Sequence, residues 1–265
     1  MKQNITKRMA LVMAAAAAIS LAGCASAEPS VQTTAAASSD AEVSTPSESV
    51  SSAENDSVFP FTLVTQDEEE VTFTHVPERI LSTNPNTGEQ HLALGLSDKI
   101  IATCYNNAKL PQQWAAEYES KPVIAEKYPS LETVLDLNPD FIYGRSSAFG
   151  DRDSSIATHT KLQENGIMSL ASIEGYKTGC DVEDVYQDFY NLGKIFQVED
   201  RANEIVDGMK EKIASVEEKV SGLEEVSVFN FDSERDGGAY TPGNNFTSKL
   251  IRHAGGVNIF EDLEK

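Results

Sequence analysis

The sequence predicts an α/β protein: a lobe built on a largely parallel sheet, a long helix after it, and the opening of a second lobe. Three observations carry this. From residue 58 to about 197, short apolar runs alternate with helical patterns, the rhythm of strands joined by crossover helices. Within that stretch, residues 129–144 read as one complete helix-to-strand unit. From residue 199 to 220, Ala202, Ile205, Val206, Met209, Ile213, Val216 and Val220 recur at three- and four-residue steps with Lys and Glu between them, which is the pattern of an amphipathic helix.

Taken in order, residues 62–74 are expected to form a hairpin turning at Gln66, Asp67 and Glu68. Strands follow near residues 80–81, 100–102, 141–143 and 167–170, with helices between them. In the central unit Ser130 can cap a helix whose Leu131, Val134 and Leu135 fall at i, i+3 and i+4, so these three are expected to share a buried face while Glu132 points elsewhere. Asn138-Pro139 stops that helix, because proline lacks an N–H and disfavours α geometry in the residue before it. Phe141, Ile142 and Tyr143 then read as a buried parallel strand ending at Gly144. Asp181 caps a helix carrying Val185, Phe189, Leu192 and Phe196. The amphipathic helix after it would run about 33 Å, and a coiled coil would need more heptads than it contains. Gly222 ends it. Residues 226–231 open the second lobe as a strand, and residues 245–254 form a helix with Gly255 and Gly256 at its end.

The amino terminus carries a separate signal. Lys2, Lys7 and Arg8 precede an apolar core at residues 9–19 that is too short to span a bilayer comfortably, and Leu21-Ala22-Gly23-Cys24 closes it. That tetrapeptide resembles the lipobox of bacterial lipoproteins. The resemblance implies a signal peptide at residues 1–23, a diacylglyceryl group on the Cys24 sulfur, and a mature chain held by lipid on the outer face of the cytoplasmic membrane. The alternatives are an ordinary signal peptide cut after Ala25 or Ala27, or an uncleaved anchor; all export the chain. Residues 24–57 are rich in Ser, Thr, Ala and Glu and cannot bury enough surface to fold, so they are expected to be a tether with a mean span of about 30 Å.

A net charge of -21 makes nucleic acid an improbable partner and suits solubility at a cell surface. It also disfavours a free anionic ligand unless local arginines offset the field. Cys104 and Cys180 could pair in an oxidising exterior, and the sequence leaves that open. His75, His91, His159 and His253 lack the spaced pairs of a zinc site, so no bare metal ion and no cofactor is expected, and His91 and His253 read as packing or capping residues. Neither a GxSxG elbow, an HExxH helix nor a P-loop is present, and catalysis is not expected.

Several motifs lie in one order. They are Pro77-Glu78-Arg79-Ile80-Leu81-Ser82, the stretch from Glu89-Gln90-His91 to Lys99-Ile100, the unit at 129–144, Leu192-Gly193-Lys194-Ile195-Phe196, and His253-Ala254-Gly255-Gly256-Val257-Asn258. Together, over roughly residues 58–265, they resemble the substrate-binding proteins of ABC importers for iron-siderophores, haem and vitamin B12. The resemblance implies two Rossmann-like α/β lobes joined by a single long helix: an N-terminal lobe at 58–197, the connecting helix at 198–222, and the start of a C-terminal lobe at 223–265. The family pattern continues with a second Glu-bearing helix and Asn-Pro-Asp strand. No counterpart lies within these residues, so the second lobe is expected to be incomplete here.

The implied function is capture of a ferric siderophore, haem or corrinoid by a lipid-anchored monomer, and its delivery to an ABC permease and ATPase. A surface scavenger or sensor without a permease is the alternative, and a two-lobed metallo-enzyme or chelatase a more distant one. By the same resemblance Glu132 pairs with an arginine on the permease, and Glu89 is a second candidate for that surface. Independently of any family, an acid in the first turn of a helix also interacts favourably with the helix dipole. Ligands approach open α/β sheets at the carboxyl ends of the strands, so the pocket is expected from the segments after them. These supply Asn84, Tyr105, Tyr128, Arg145, Tyr176, Arg235 and Tyr240 as candidate ligand contacts, with aromatic faces for an organic rim and guanidinium groups for its anions.

Overall fold

The computed structural model describes residues 58–263, so the expected signal peptide, Cys24 and the tether lie outside the described residues. Strands β1 (Phe61–Val64) and β2 (Glu70–Phe73) form the expected antiparallel hairpin, turning through Gln66–Glu68. The alternation that follows is β3 (Ile80–Ser82), α1 (Pro85–Ala93), β4 (Ile100–Cys104), α2 (Gln112–Glu119), β5 (Val123–Ala125), α3 (Leu131–Leu137), β6 (Phe141–Gly144), α4 (His159–Glu164) and β7 (Met168–Ala171). Strand β5 is absent from the sequence-based expectation. It has three residues, sits at the sheet edge and is half exposed, so it lacks the apolar run that marks a buried strand.

The five strands pair in parallel in the order β5-β4-β3-β6-β7. Such a sheet needs cover on both faces, and alternate residues supply the apolar surface. Ile80, Phe141 and Tyr143 pack with Val71, Phe73 and Leu92 on one side, whereas Leu81, Ile142 and Ala102 pack with Val134 and Leu162 on the other.

Helix α3 departs from expectation in its buried face. Ser130 caps it, accepting the Thr133 amide at 3.3 Å, and Val134 is fully buried, but Leu135 is 39% exposed. Leu131 and Leu137 take the half-buried positions instead, so a helix of only two turns meets the sheet along a narrow i, i+3, i+6 line. Asn138 ends it with φ 54°, and the Arg79 guanidinium donates to the carbonyls of Leu137 at 3.0 Å and Asn138 at 2.7 Å. Asp140 accepts the amides of Glu78 and Arg79, each at 2.8 Å. The Asn-Pro-Asp motif thus ties the amino ends of β3 and β6 together.

Helix α5 (Val182–Phe196) opens with a capping box in which Asp181 and Asp184 exchange hydrogen bonds with each other's backbone. Gln197, with φ 55°, turns the chain into α6 (Glu199–Val220). The two helices approach closely at Gly193, where a Cβ would stand 2.7 Å from that of Ala202. Along α6 only Ala202 and Val206 are fully buried; Ile205, Met209 and Ile213 remain partly open.

After Gly222 come β8 (Val226–Val228), the hairpin β9 (Ser233–Arg235) and β10 (Gly238–Tyr240), α7 (Phe246–His253) and β11 (Gly256–Asn258). The strand expected over residues 226–231 is shorter, and β8 pairs in parallel with β11, a partner some thirty residues away. Asn245 caps α7, and His253 near its end reaches Glu217 of α6 at 2.7 Å and Asp181 at 3.0 Å.

Cys104 and Cys180 are buried free thiols. His91 packs edge-on to Phe141, Tyr143 and Phe196, as expected of a core histidine. Among the described residues no cluster of three or more His, Cys, Asp and Glu side chains is placed to hold a metal ion, and no helix is long and apolar enough to cross a membrane.

Candidate functional site

The strand order reverses between β3 and β6, which opens a crevice at their carboxyl ends. Thr83, just past β3, donates to the Tyr143 carbonyl at 3.1 Å and lies so close to Gly144 that a Cβ there would stand 2.3 Å from its hydroxyl. Asn84 is buried beneath this point, accepting from the Tyr128 hydroxyl at 2.9 Å and donating to the Tyr105 carbonyl at 3.5 Å. Tyr128 also lies 2.9 Å from the Ser147 hydroxyl, and its ring meets that of Tyr105 edge-on at 4.8 Å. Asn84, Tyr105 and Tyr128 therefore converge from three strand ends. Asn84 organises the cluster from below and the two half-buried tyrosines form its rim. Burial raises the Tyr128 phenol above its ordinary pKa, so it stays neutral and able to donate.

A cavity of about 520 Å³ lies between α1, α2, α5, α6 and α7 and the segments that follow β6 and β7. Asn86, Gln90 and Trp114 line one side, Phe189, Met209 and Phe246 the other. Arg145 reaches it from the end of β6 and lies 3.6 Å from Glu174, which follows β7. Asp188 of α5 sits in its wall, 1% exposed, and its carboxyl oxygens accept the Ile173 amide at 3.2 and 3.1 Å. Burial pushes the Asp188 pKa up to about 8 despite that hydrogen bond. Gln90 accepts the Tyr143 hydroxyl at 2.7 Å, and the buried Ser172 hydroxyl has no hydrogen-bond partner among the described residues.

The other expected residues lie apart from this cavity or at its edge. Tyr176 borders a smaller hollow of about 280 Å³ with Gln66, Asp67 and Arg152. Arg235 stacks on Tyr240 at 4.8 Å on the exposed β9–β10 hairpin, and neither lines the cavity. Glu132 is exposed in the first turn of α3, with no hydrogen bond or ion pair among the described residues. Glu89, the second candidate for that surface, lines the cavity, where burial raises its pKa. Sequence reasoning missed Gln90, Trp114, Ser172, Asp188, Met209 and Phe246 as wall residues. Asp188 left a readable signal: an acid three residues after Val185 and next to Phe189, on the apolar face of α5.

The chain belongs to the periplasmic binding protein family, which its residues 80–265 match. It is 26% identical over 189 residues to YvrC of Bacillus subtilis, an uncharacterized ABC transporter substrate-binding lipoprotein, covering 70% of this chain and 56% of that one. It is 22% identical over 209 residues to a cobalamin-binding protein of Halobacterium salinarum, covering 77% and 52% respectively. The chain thus spans about half the length of the curated relatives it matches. Among solved structures, a periplasmic binding protein from Veillonella parvula superposes with a TM-score of 0.69 at 26% identity, over 77% of this chain and 68% of that one.

Proposed function

We propose that this protein is the extracytoplasmic solute-binding component of an ABC importer, lipid-anchored through Cys24, which captures a metal chelate and delivers it to a permease and its ATPase. The observation that carries the reading is a cavity lined in part by Asn86, which follows β3, and Arg145, which follows β6, the two strands between which the order reverses and where open α/β sheets receive ligands, with the Tyr105–Tyr128 pair at the ends of the neighbouring strands. A chelate with an organic rim needs aromatic faces and a few hydrogen-bonding groups, and this crevice offers both. The names of the two curated relatives support it: one is a substrate-binding lipoprotein of an ABC transporter, the other a cobalamin-binding protein. A corrinoid, a ferric siderophore and haem fall within the proposed ligand class.

Trp114 is the sole tryptophan and lines the cavity, so a chelate bound there should quench its fluorescence. Titration with a corrinoid, a ferric siderophore and haemin should give saturable quenching with at least one. Tyr105→Ala should weaken that ligand about tenfold, the loss of an aromatic face worth ~1.5 kcal/mol. Calorimetric binding of a sugar or peptide, with no heat from any chelate, would overturn the ligand class.

A further inference from the structure

We propose that the cavity selects an uncharged chelate rimmed with amides and rejects one rimmed with carboxylates, with the Arg145–Glu174 pair as the determinant of that choice. This deepens the proposed function and rests on it. The charged groups facing the cavity come from four places: Glu89 on α1, Arg145 after β6, Glu174 after β7 and Asp188 on α5. Arg145 is the single cation in that lining, and Glu174 stands 3.6 Å from it. An incoming carboxylate would have to compete with Glu174 for the guanidinium while also facing Glu89, and like-charge juxtaposition is how binding sites reject near-matches.

The remaining polar groups suit the opposite kind of ligand. Asn86, Gln90 and Gln113 present amides that both donate and accept. Ser172 is 2% exposed and lines the cavity, and its hydroxyl has no hydrogen-bond partner among the described residues, which leaves it free for a ligand group. Glu89 and Glu174 accept, as the N–H groups of a primary amide require. Burial raises the Asp188 pKa to about 8, which favours its neutral form and lessens the negative charge this wall presents. Phe189, Met209 and Phe246 complete the wall with apolar surface for the flat part of the chelate.

Two flat macrocycles separate the alternatives: dicyanocobinamide, which is uncharged and amide-rimmed, and haemin, which carries two propionates. Their Kd values would be read from Trp114 quenching with the full chain. The parent should bind dicyanocobinamide at least tenfold more tightly than haemin. Glu174→Gln frees Arg145 and should move the ratio of the two Kd values about tenfold toward haemin, and Glu89→Gln should move it the same way by less. Tighter binding of haemin by the parent, or a ratio unchanged in both variants, would overturn this inference and leave the proposed function standing. Quenching by neither macrocycle nor by a ferric siderophore would instead overturn the proposed function itself, and this inference with it.

Discussion

In the five-stranded sheet Ile80, Leu81, Phe141, Ile142 and Tyr143 are fully buried, whereas beyond α6 Val226 is 63% exposed, Phe231 58%, Ile259 55% and Phe229 49%. Both regions pair strands in parallel and place a helix between them. They differ in cover. The sheet has the β1–β2 hairpin, α1 and α5 on one face and α3 and α4 on the other, while the β8–β11 pair packs chiefly with α7. Parallel strands gain their stability from two covered faces, so the apolar side chains of β8 and its neighbours contribute little within residues 58–263. Stability is therefore concentrated around the sheet, the same scaffold that positions the crevice.

The largest expected effect tests this contrast directly. Phe141→Ala should cost about 3–5 kcal/mol of unfolding free energy, since it leaves a cavity between Phe73, His91 and Phe196. Phe229→Ala, the same deletion on a half-exposed ring, should cost below about 1 kcal/mol. Urea denaturation of both variants compares them. Equal losses would mean that Phe229 is covered in solution and that the contrast does not hold.

A smaller effect separates the regions by pH. Burial lowers the pKa of His91 to about 3 and that of His159 to about 4. As pH falls below about 6.5 the unfolded chain takes up these protons while the folded chain does not, so each histidine lowers stability by up to about 1.4 kcal/mol per pH unit until its folded pKa is reached. His253 has the opposite sign. Its modest burial disfavours the charge, but hydrogen bonds to Glu217 and Asp181 outweigh that and raise its pKa. Its contribution is complete below the unfolded pKa and is lost as pH rises through the folded value. Melting temperatures between pH 4 and 8 should show His91→Phe flattening the acid limb, and His253→Gln destabilising more at pH 6 than at pH 8. An unchanged acid limb in His91→Phe would place that ring in water.

What could be read from residue order follows the same division. The hairpin, the alternation from 80 to 171, the Asp181 cap and the long α6 are written in local periodicity and capping chemistry, which short-range patterns express. Strand β5 and the β8–β11 pairing are not, because a three-residue strand has little period and a partner thirty residues away leaves no local mark. Leu135 was misplaced because i+3 and i+4 both fit a short helix, and only the packing line chooses between Leu135 and Leu137. At the site, the strand-end rule leads to Asn84, Tyr105 and Arg145, since each follows a strand legible in the sequence, whereas Tyr128 follows β5, which is not. The rule does not lead to Gln90, Trp114 or Asp188, which reach the cavity from the sides of helices.

The smallest effect on stability is expected at Glu132, and it sharpens what exposure means in the two regions. An exposed Phe229 lies on a face with little cover, but Glu132 is exposed on a helix whose inner face is already packed through Val134. Glu132→Ala should lower unfolding free energy by no more than ~1 kcal/mol, the interaction of one acid with the start of a helix. Under the proposed function the same change removes an interfacial charge pair, with a docking cost of about 2–5 kcal/mol where the partner arginine is left desolvated. Melting temperature and chelate affinity should stay nearly level while binding to permease-containing membranes falls. Unchanged docking would remove Glu132 from that surface, and a large drop in melting temperature would show that its carboxylate holds α3 in place.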